Sequence, residues 1–279
     1  MNMKELTIIG ATGKLAIPVI NELLEKGVAI KAVVRDVIGA REKLPPAVDI
    51  VFGDLENVAS LEAALQGTEY LYLNLGAPVP GEKFVAELHG VQNILKAAKG
   101  KLKQIIKIAD LGTLHPEFHP SKTRHPGSVL RQQGHSLIKA AGIPLTTFNA
   151  TWFINAIPWF VQGESLIIFG KHKAPMYWTN TVDLATYVFK AIGNKDAFDK
   201  DFALQGKEPI AYTEAAQKYV SAKNLPVQVV ESPIPEVELG FLGDVLRYSE
   251  SFEEKFQAQE LYEVLGEPAL SFTEAVEAV

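Results

Sequence analysis

The stretch TIIGATGKLA, residues 7–16, constrains the fold of this chain more than any other feature. The apolar run Leu6–Ile9 stops at Gly10, a second glycine follows at Gly13, and Ala16 stands where a third is expected. From Lys14 to Lys26, Leu15, Val19, Ile20, Leu23 and Leu24 recur at helical spacing until Gly27 ends the run. Pro18 falls near the first turn, where a missing N–H is tolerated. A strand, a glycine turn and a helix N-terminus in succession make an anion site, because backbone N–H groups and the helix dipole face the same ligand. Gly10 permits the tight turn and Gly13 a close approach to a pyrophosphate. The third position needs a small residue for helix–strand packing, and alanine is the smallest departure from glycine. The turn reads as dinucleotide-binding, with Thr12, Lys14 and Leu15 around the phosphates. The competing reading is a tight turn in an α/β protein without a ligand.

The rest of the first half alternates strands and helices. Strands are expected at 6–10, 29–36, 48–55, 69–76, 104–112 and 144–150, and helices at 60–67, 84–100 and 128–141. Strands buried on both faces and separated by helices imply a parallel sheet covered on both sides. Beyond residue 150 aromatics and prolines cluster in TWFINAIPWF and APMYWTN. Helices then read at 182–192, 212–223 and 253–265, with a strand at 227–232. The expected architecture is α/β: a Rossmann-type doubly wound parallel sheet over 1–150, with a small C-terminal substrate lobe over 151–279. Its helix at about 182–192 returns to the sheet.

Composition excludes several classes. A formal net charge of -6 leaves no basic patch for nucleic acid. The absence of cysteine rules out disulfides, thiolate zinc sites and cysteine nucleophiles, and fits a reducing compartment. The first apolar run is too short for a signal peptide, and no apolar stretch would span a bilayer. A cytoplasmic protein with no membrane partner is expected.

The second strand bears on which dinucleotide binds. It ends VVRD, so Arg35 stands where NAD sites often carry an acid. A guanidinium forks onto a 2′-phosphate and stacks on adenine. This favours NADP(H) over NAD(H), although Asp36 one position on could reach a ribose. Asp54 and Leu55, after the third strand, stand near the adenine edge; a turn or helix cap is the other reading of Asp54. Asn74, Leu75 and Gly76 end the fourth strand, where backbone passes the ribose.

With these blocks in order, the chain resembles the atypical short-chain dehydrogenase/reductases, in particular the NmrA-like group with its quinone reductases and isoflavone-reductase relatives. GATGKLA, VVRD, GDL, HGVQNILKAAK, AAGIPLTTFNATWFIN and VDLATYVFKAI carry the resemblance along nearly the whole length. Asn149 stands where that group has arginine. The resemblance implies strand order 3-2-1-4-5-6, extended by a seventh strand. The catalytic serine, tyrosine and lysine of short-chain dehydrogenases do not carry over. The fifth strand ends IKIADLG, placing Asp110 at the serine position, with Ala109 before it as a cofactor-binding residue. The following helix reads HPGSVLRQQGH, with Gly127 at the tyrosine position, Arg131 at the lysine position and His135 four residues on. Arg131 can hold ribose hydroxyls or phosphate but cannot act as a base. Asp110, Arg131 and His115 are the catalytic candidates. Quinone reduction makes smaller demands, since hydride enters an electrophilic ring and protons can come from water. The alternative is a non-catalytic NADP(H)-binding redox sensor acting through a protein partner.

Four histidines, His115, His119, His125 and His135, lie between 115 and 135. Pro116 and Pro120 prevent His115 and His119 from sharing a helix face, so no metal site is expected. They read as polar residues over the cleft, and the loop 112–128 that carries His115, His119 and His125 is placed to act as a lid; the other reading is that His115 or His125 donates a proton beside the nicotinamide. Trp152, Phe153 and Tyr177 are candidates for a flat hydrophobic substrate, with a buried core as the competing reading.

Overall fold

The computed structural model describes residues 4–77, 79, 81–172, 174–236 and 239–279. Two compact units emerge. The first comprises residues 1–109, 126–148 and 184–202, and the second 110–125, 149–183 and 203–279.

The first unit carries the alternating pattern. β1 (Glu5–Ile9), α1 (Ala16–Glu25), β2 (Ala29–Val34), α2 (Val37–Lys43), β3 (Asp49–Phe52), α3 (Val58–Ala64) and β4 (Tyr70–Leu73) follow in order. A π-turn at Ala86–Gly90 leads into α4 (Val91–Ala98), then β5 (Gln104–Asp110). After α5 (Leu111–Leu114) come α6 (Pro126–Ala140) and β6 (Leu145–Ala150). β7 (Val161–Gln162) and β8 (Ser165–Phe169), both in the second unit, precede α7 (Thr181–Ala191) and β9 (Asp201–Leu204). The central sheet has seven strands in the order β3-β2-β1-β4-β5-β6-β9. The pairs β3·β2, β2·β1, β1·β4 and β4·β5 are parallel. Leu6, Ile8 and Leu71 are at most 1% exposed, as strands covered on both faces require. One face packs Leu61, Leu73, Val91, Ile94, Ile105, Ile138 and Leu145 into a single cluster. At the start of β5, Gln104 ties the sheet to its flanking helix. Its Nε2 donates to Thr146 Oγ1 and to the Ala191 carbonyl, and its Oε1 accepts from Gly193 N–H.

The second unit holds a three-stranded sheet in the order β10-β8-β7, where β10 is Gln228–Ser232. Its helices are α8 (Tyr212–Ala222), α9 (Gly240–Glu250), α10 (Gln259–Leu265) and α11 (Phe272–Ala278). Its core gathers Ile154, Leu166, Ile168, Trp178, Ile210, Tyr212 and Phe272. Among the described residues, no helix is long and apolar enough to cross a membrane.

Several element boundaries differ from the sequence reading for local reasons. The helix expected over 84–100 opens as the π-turn and ends at Lys99, whose φ of 49° breaks it. The helix expected over 253–265 begins only at Gln259, and residues 253–258 are occupied by hydrogen bonds to Phe118 and Gln205. The expected loop 112–128 holds α5, a 3₁₀ turn at Pro116–Phe118 and the start of α6. α2, α9, α11 and the β7–β8 hairpin are additional elements.

Candidate functional site

The first turn has the backbone that its glycines allow. Gly10 takes φ +84°, and a Cβ there would stand 2.0 Å from the Asn74 carbonyl oxygen. A Cβ on Gly13 would meet Asn74 Nδ2 at 2.9 Å. Asn74 earns its place at the end of β4: its N–H donates to Ile9 carbonyl at 3.0 Å and its Nδ2 to the Gly10 carbonyl at 3.3 Å. The Gly10–Gly13 turn closes with a 3.2 Å bond, and Gly13 carbonyl accepts from Ala16 and Ile17 as α1 begins. Gly10 and Gly13 carry no side chain into this turn, which lets Asn74 pack against both.

A cavity of about 440 Å³ opens at the carboxyl ends of β1, β2, β3 and β4. It is the position where open α/β sheets bind ligands. Gly10, Thr12, Arg35, Asp54, Leu55, Asn74, Leu75 and Gly76, all singled out from sequence, line it. Gly13, Lys14, Leu15, Ala109 and Arg131 are not among its walls. Val85 and Ala86 form another wall, just before the π-turn's Glu87.

Charges at the β2 end sort themselves. Asp36 caps α2, accepting from Gly39 N–H at 2.9 Å. Its carboxylate is thus held to the backbone. Arg35 is exposed on the cavity rim and has no hydrogen-bond or ion-pair partner among the described residues. Lys43, in the last turn of α2, lines the same cavity and was missed from sequence. Its only sequence signal was a lysine eight residues after Arg35, which helical geometry brings back beside the strand end. Asp54 makes a turn, accepting from Glu56 N–H at 3.0 Å, while its N–H donates to Ser60 Oγ.

Glu87 and Lys107 were also missed. Lys107 Nζ lies 2.6 Å from Glu87 Oε2, and Arg131 Nε donates to Glu87 Oε1 at 2.9 Å. His135 is buried beside them, and its Nε2 has no hydrogen-bond partner. Burial first, then the charges of Lys107, Arg131 and Lys139, push its pKa down to about 2.

In the second unit, Asp110 caps α5. It accepts from Thr113 N–H at 2.8 Å and Thr113 Oγ1 at 2.9 Å. His115 stacks on Phe118 at 5.0 Å and pairs with Glu117. His119 stacks on Tyr248 at 4.3 Å, and His125 meets the edges of Phe241 and Tyr248. Tyr248 Oη donates to the Thr123 carbonyl, so the segment expected as a lid is packed onto α9. Among the described residues, no three His, Cys, Asp or Glu side chains are grouped to hold a metal. Phe153 is buried and bridges to Thr179. Trp152 is half-buried against Tyr212 and His172, and Tyr177 lies 5.5 Å from Phe256.

A parallel sheet with a glycine turn at the carboxyl end of its first strand defines a dinucleotide-binding Rossmann protein. Residues 10–195 match the NAD(P)H-binding family, and the chain belongs to it. The resemblance to the NmrA-like atypical short-chain dehydrogenase/reductases stands with that membership. The chain is 22% identical over 241 residues to an NAD(P)H azoreductase of Xenophilus azovorans, covering 85% of this chain and 80% of the azoreductase. It is 22% identical over 240 residues to the photosystem II assembly factor Ycf39 of Cyanophora paradoxa, covering 83% and 73%. The Escherichia coli quinone oxidoreductase QOR2, solved with NADPH, superposes with a TM-score of 0.74 at 21% identity, covering 98% and 99%. At that identity the superposition establishes the fold alone.

Proposed function

We propose that this protein is an NADP(H)-dependent oxidoreductase that delivers hydride to a quinone-like or other conjugated acceptor. The carrying observation is the charge at the β2 end of the cavity. Arg35 and Lys43 are exposed on it, while Asp36, the acid that would favour a free ribose hydroxyl, is tied to Gly39 N–H. Two cations suit a 2′-phosphate, and Arg35 supplies a planar fork for it. The glycine turn leaves backbone N–H groups and the α1 N-terminus for the pyrophosphate. Reduced nicotinamide supplies a hydride when bound. The chain's part is to hold, orient and shield, and that is where its rate effect would arise. Arg131 is assigned to the nicotinamide ribose, the role of the lysine it replaces in the resemblance. Relatives named as an azoreductase and a quinone oxidoreductase support acceptors of this flat, conjugated kind.

One observation favours the second reading, a non-catalytic NADP(H)-binding protein acting through a partner. Asp110 accepts two hydrogen bonds from Thr113, one on each carboxyl oxygen, so both oxygens serve as a helix cap and not as a contact to a reacting group. A panel of quinones and azo compounds, followed by loss of NADPH absorbance, separates the two. Turnover with any acceptor that saturates supports the oxidoreductase. Tight NADPH binding with no oxidation across the panel rejects it in favour of the binding-only reading.

A further inference from the structure

The buried cluster of Glu87, Lys107 and Arg131 lies wholly within the first unit and has no role in the capping or packing described above. Glu87 and Lys107 side chains are 1% and 0% exposed, and Arg131 is 12% exposed. Arg131 is thus the member through which these buried charges reach the surface. Burying an ion pair costs several kcal/mol per ion in desolvation, and apolar residues of like volume often serve stability as well. Stability alone therefore gives no reason for the cluster.

Its geometry gives one. A carboxylate oxygen on Nε, 2.9 Å away, fixes the plane of the Arg131 guanidinium. Lys107 Nζ takes the other oxygen at 2.6 Å, so the Glu87 carboxyl group is held from both sides. Glu87 sits in the π-turn, a distortion that recurs at functional sites and here turns the carboxylate inward. The preceding residues, Val85 and Ala86, are walls of the nucleotide cavity. α6 is pressed against the same turn. A Cβ on Gly134 would stand 2.1 Å from the Glu87 carbonyl oxygen, so only glycine allows the approach that brings Arg131 to Glu87.

We infer that Glu87 is a positioning residue: it couples the wall of the nucleotide cavity to Arg131 and aims the guanidinium at the nicotinamide half of the bound dinucleotide. The inference rests on the NADP(H) reading and adds the device that orders its second half. Adenosine 2′,5′-bisphosphate tests it, because that probe fills the adenosine half and lacks the nicotinamide ribose. Glu87→Gln leaves Lys107 buried without its counterion and can fail to fold. The double variant Glu87→Leu/Lys107→Met removes the pair together, leaves no acceptor for Arg131 Nε, and is the main test. The expected result is an unchanged Kd for the bisphosphate, within two-fold, and a Kd for NADPH raised about ten-fold. Adding Arg131→Ala to the double variant should weaken NADPH by less than two-fold more, since the arginine is already misplaced. Equal weakening of both ligands would mark a structural role and overturn the inference, as would an unchanged NADPH affinity. If the unaltered protein binds neither probe, the nucleotide reading itself falls, and the inference falls with it.

Discussion

His135 titrates in a way that can be worked out from its surroundings. The ring is buried on α6, its Nε2 finds no acceptor, and three cations surround it. With a native pKa near 2, it stays neutral across the accessible acid range. In the unfolded chain the same ring titrates near 6.5. Between those values the unfolded state binds a proton that the native state refuses, so stability falls as pH drops below about 6.5. At pH 5 the gap from 6.5 is about 1.5 pH units, which at about 1.4 kcal/mol per unit costs about 2 kcal/mol. His135→Leu removes that dependence while keeping the volume near that of the ring. Urea unfolding of both proteins at pH 8 and pH 5 measures it, with the other titrating groups cancelling in the difference. The variant should gain about 2 kcal/mol on the parent between pH 8 and pH 5. A difference that stays flat over that range would refute the neutral buried ring and the cation cluster around it.

Other perturbations follow from single contacts. Gly10→Ala puts a methyl group 2.0 Å from the Asn74 carbonyl and strains a φ of +84°, so NADPH affinity should fall at least ten-fold, as read by nucleotide fluorescence. Glu254 accepts from Thr151 Oγ1 and Gln205 Nε2, and burial raises its pKa above the ordinary carboxylate value. A carboxyl raised in the native state loses stability as pH rises through and above its unfolded pKa. Glu254→Gln should therefore become more stable relative to the parent on going from pH 4 to pH 8 in thermal melts.

Much of the first unit could be read from the chain because local signals and tertiary packing agree there. The strand–glycine–helix run at 6–26 and the apolar runs on either side of it allow few arrangements other than a parallel sheet. The cavity residues Gly10, Arg35, Asp54 and Asn74 were legible because each ends a strand. Lys43 was not, because its approach depends on how α2 packs. Glu87 and Lys107 were hidden for a different reason. A glutamate in a helix-like segment and a lysine in a strand look like surface residues until the sheet and the π-turn bury them against each other. In the second unit, the aromatic histidine stacking on α9 joins residues more than a hundred apart, and no short-range pattern announces it.

The central claim is that the cavity at the end of β1 and β2 takes NADP(H) through Arg35. Fluorescence titration of NADPH and NADH, with the parent and Arg35→Ala in parallel, tests it most directly. The account predicts that the parent binds NADPH at least ten-fold more tightly than NADH and that Arg35→Ala loses this preference while still binding NADH. Equal affinities in the parent, or a preference that survives Arg35→Ala, would contradict it.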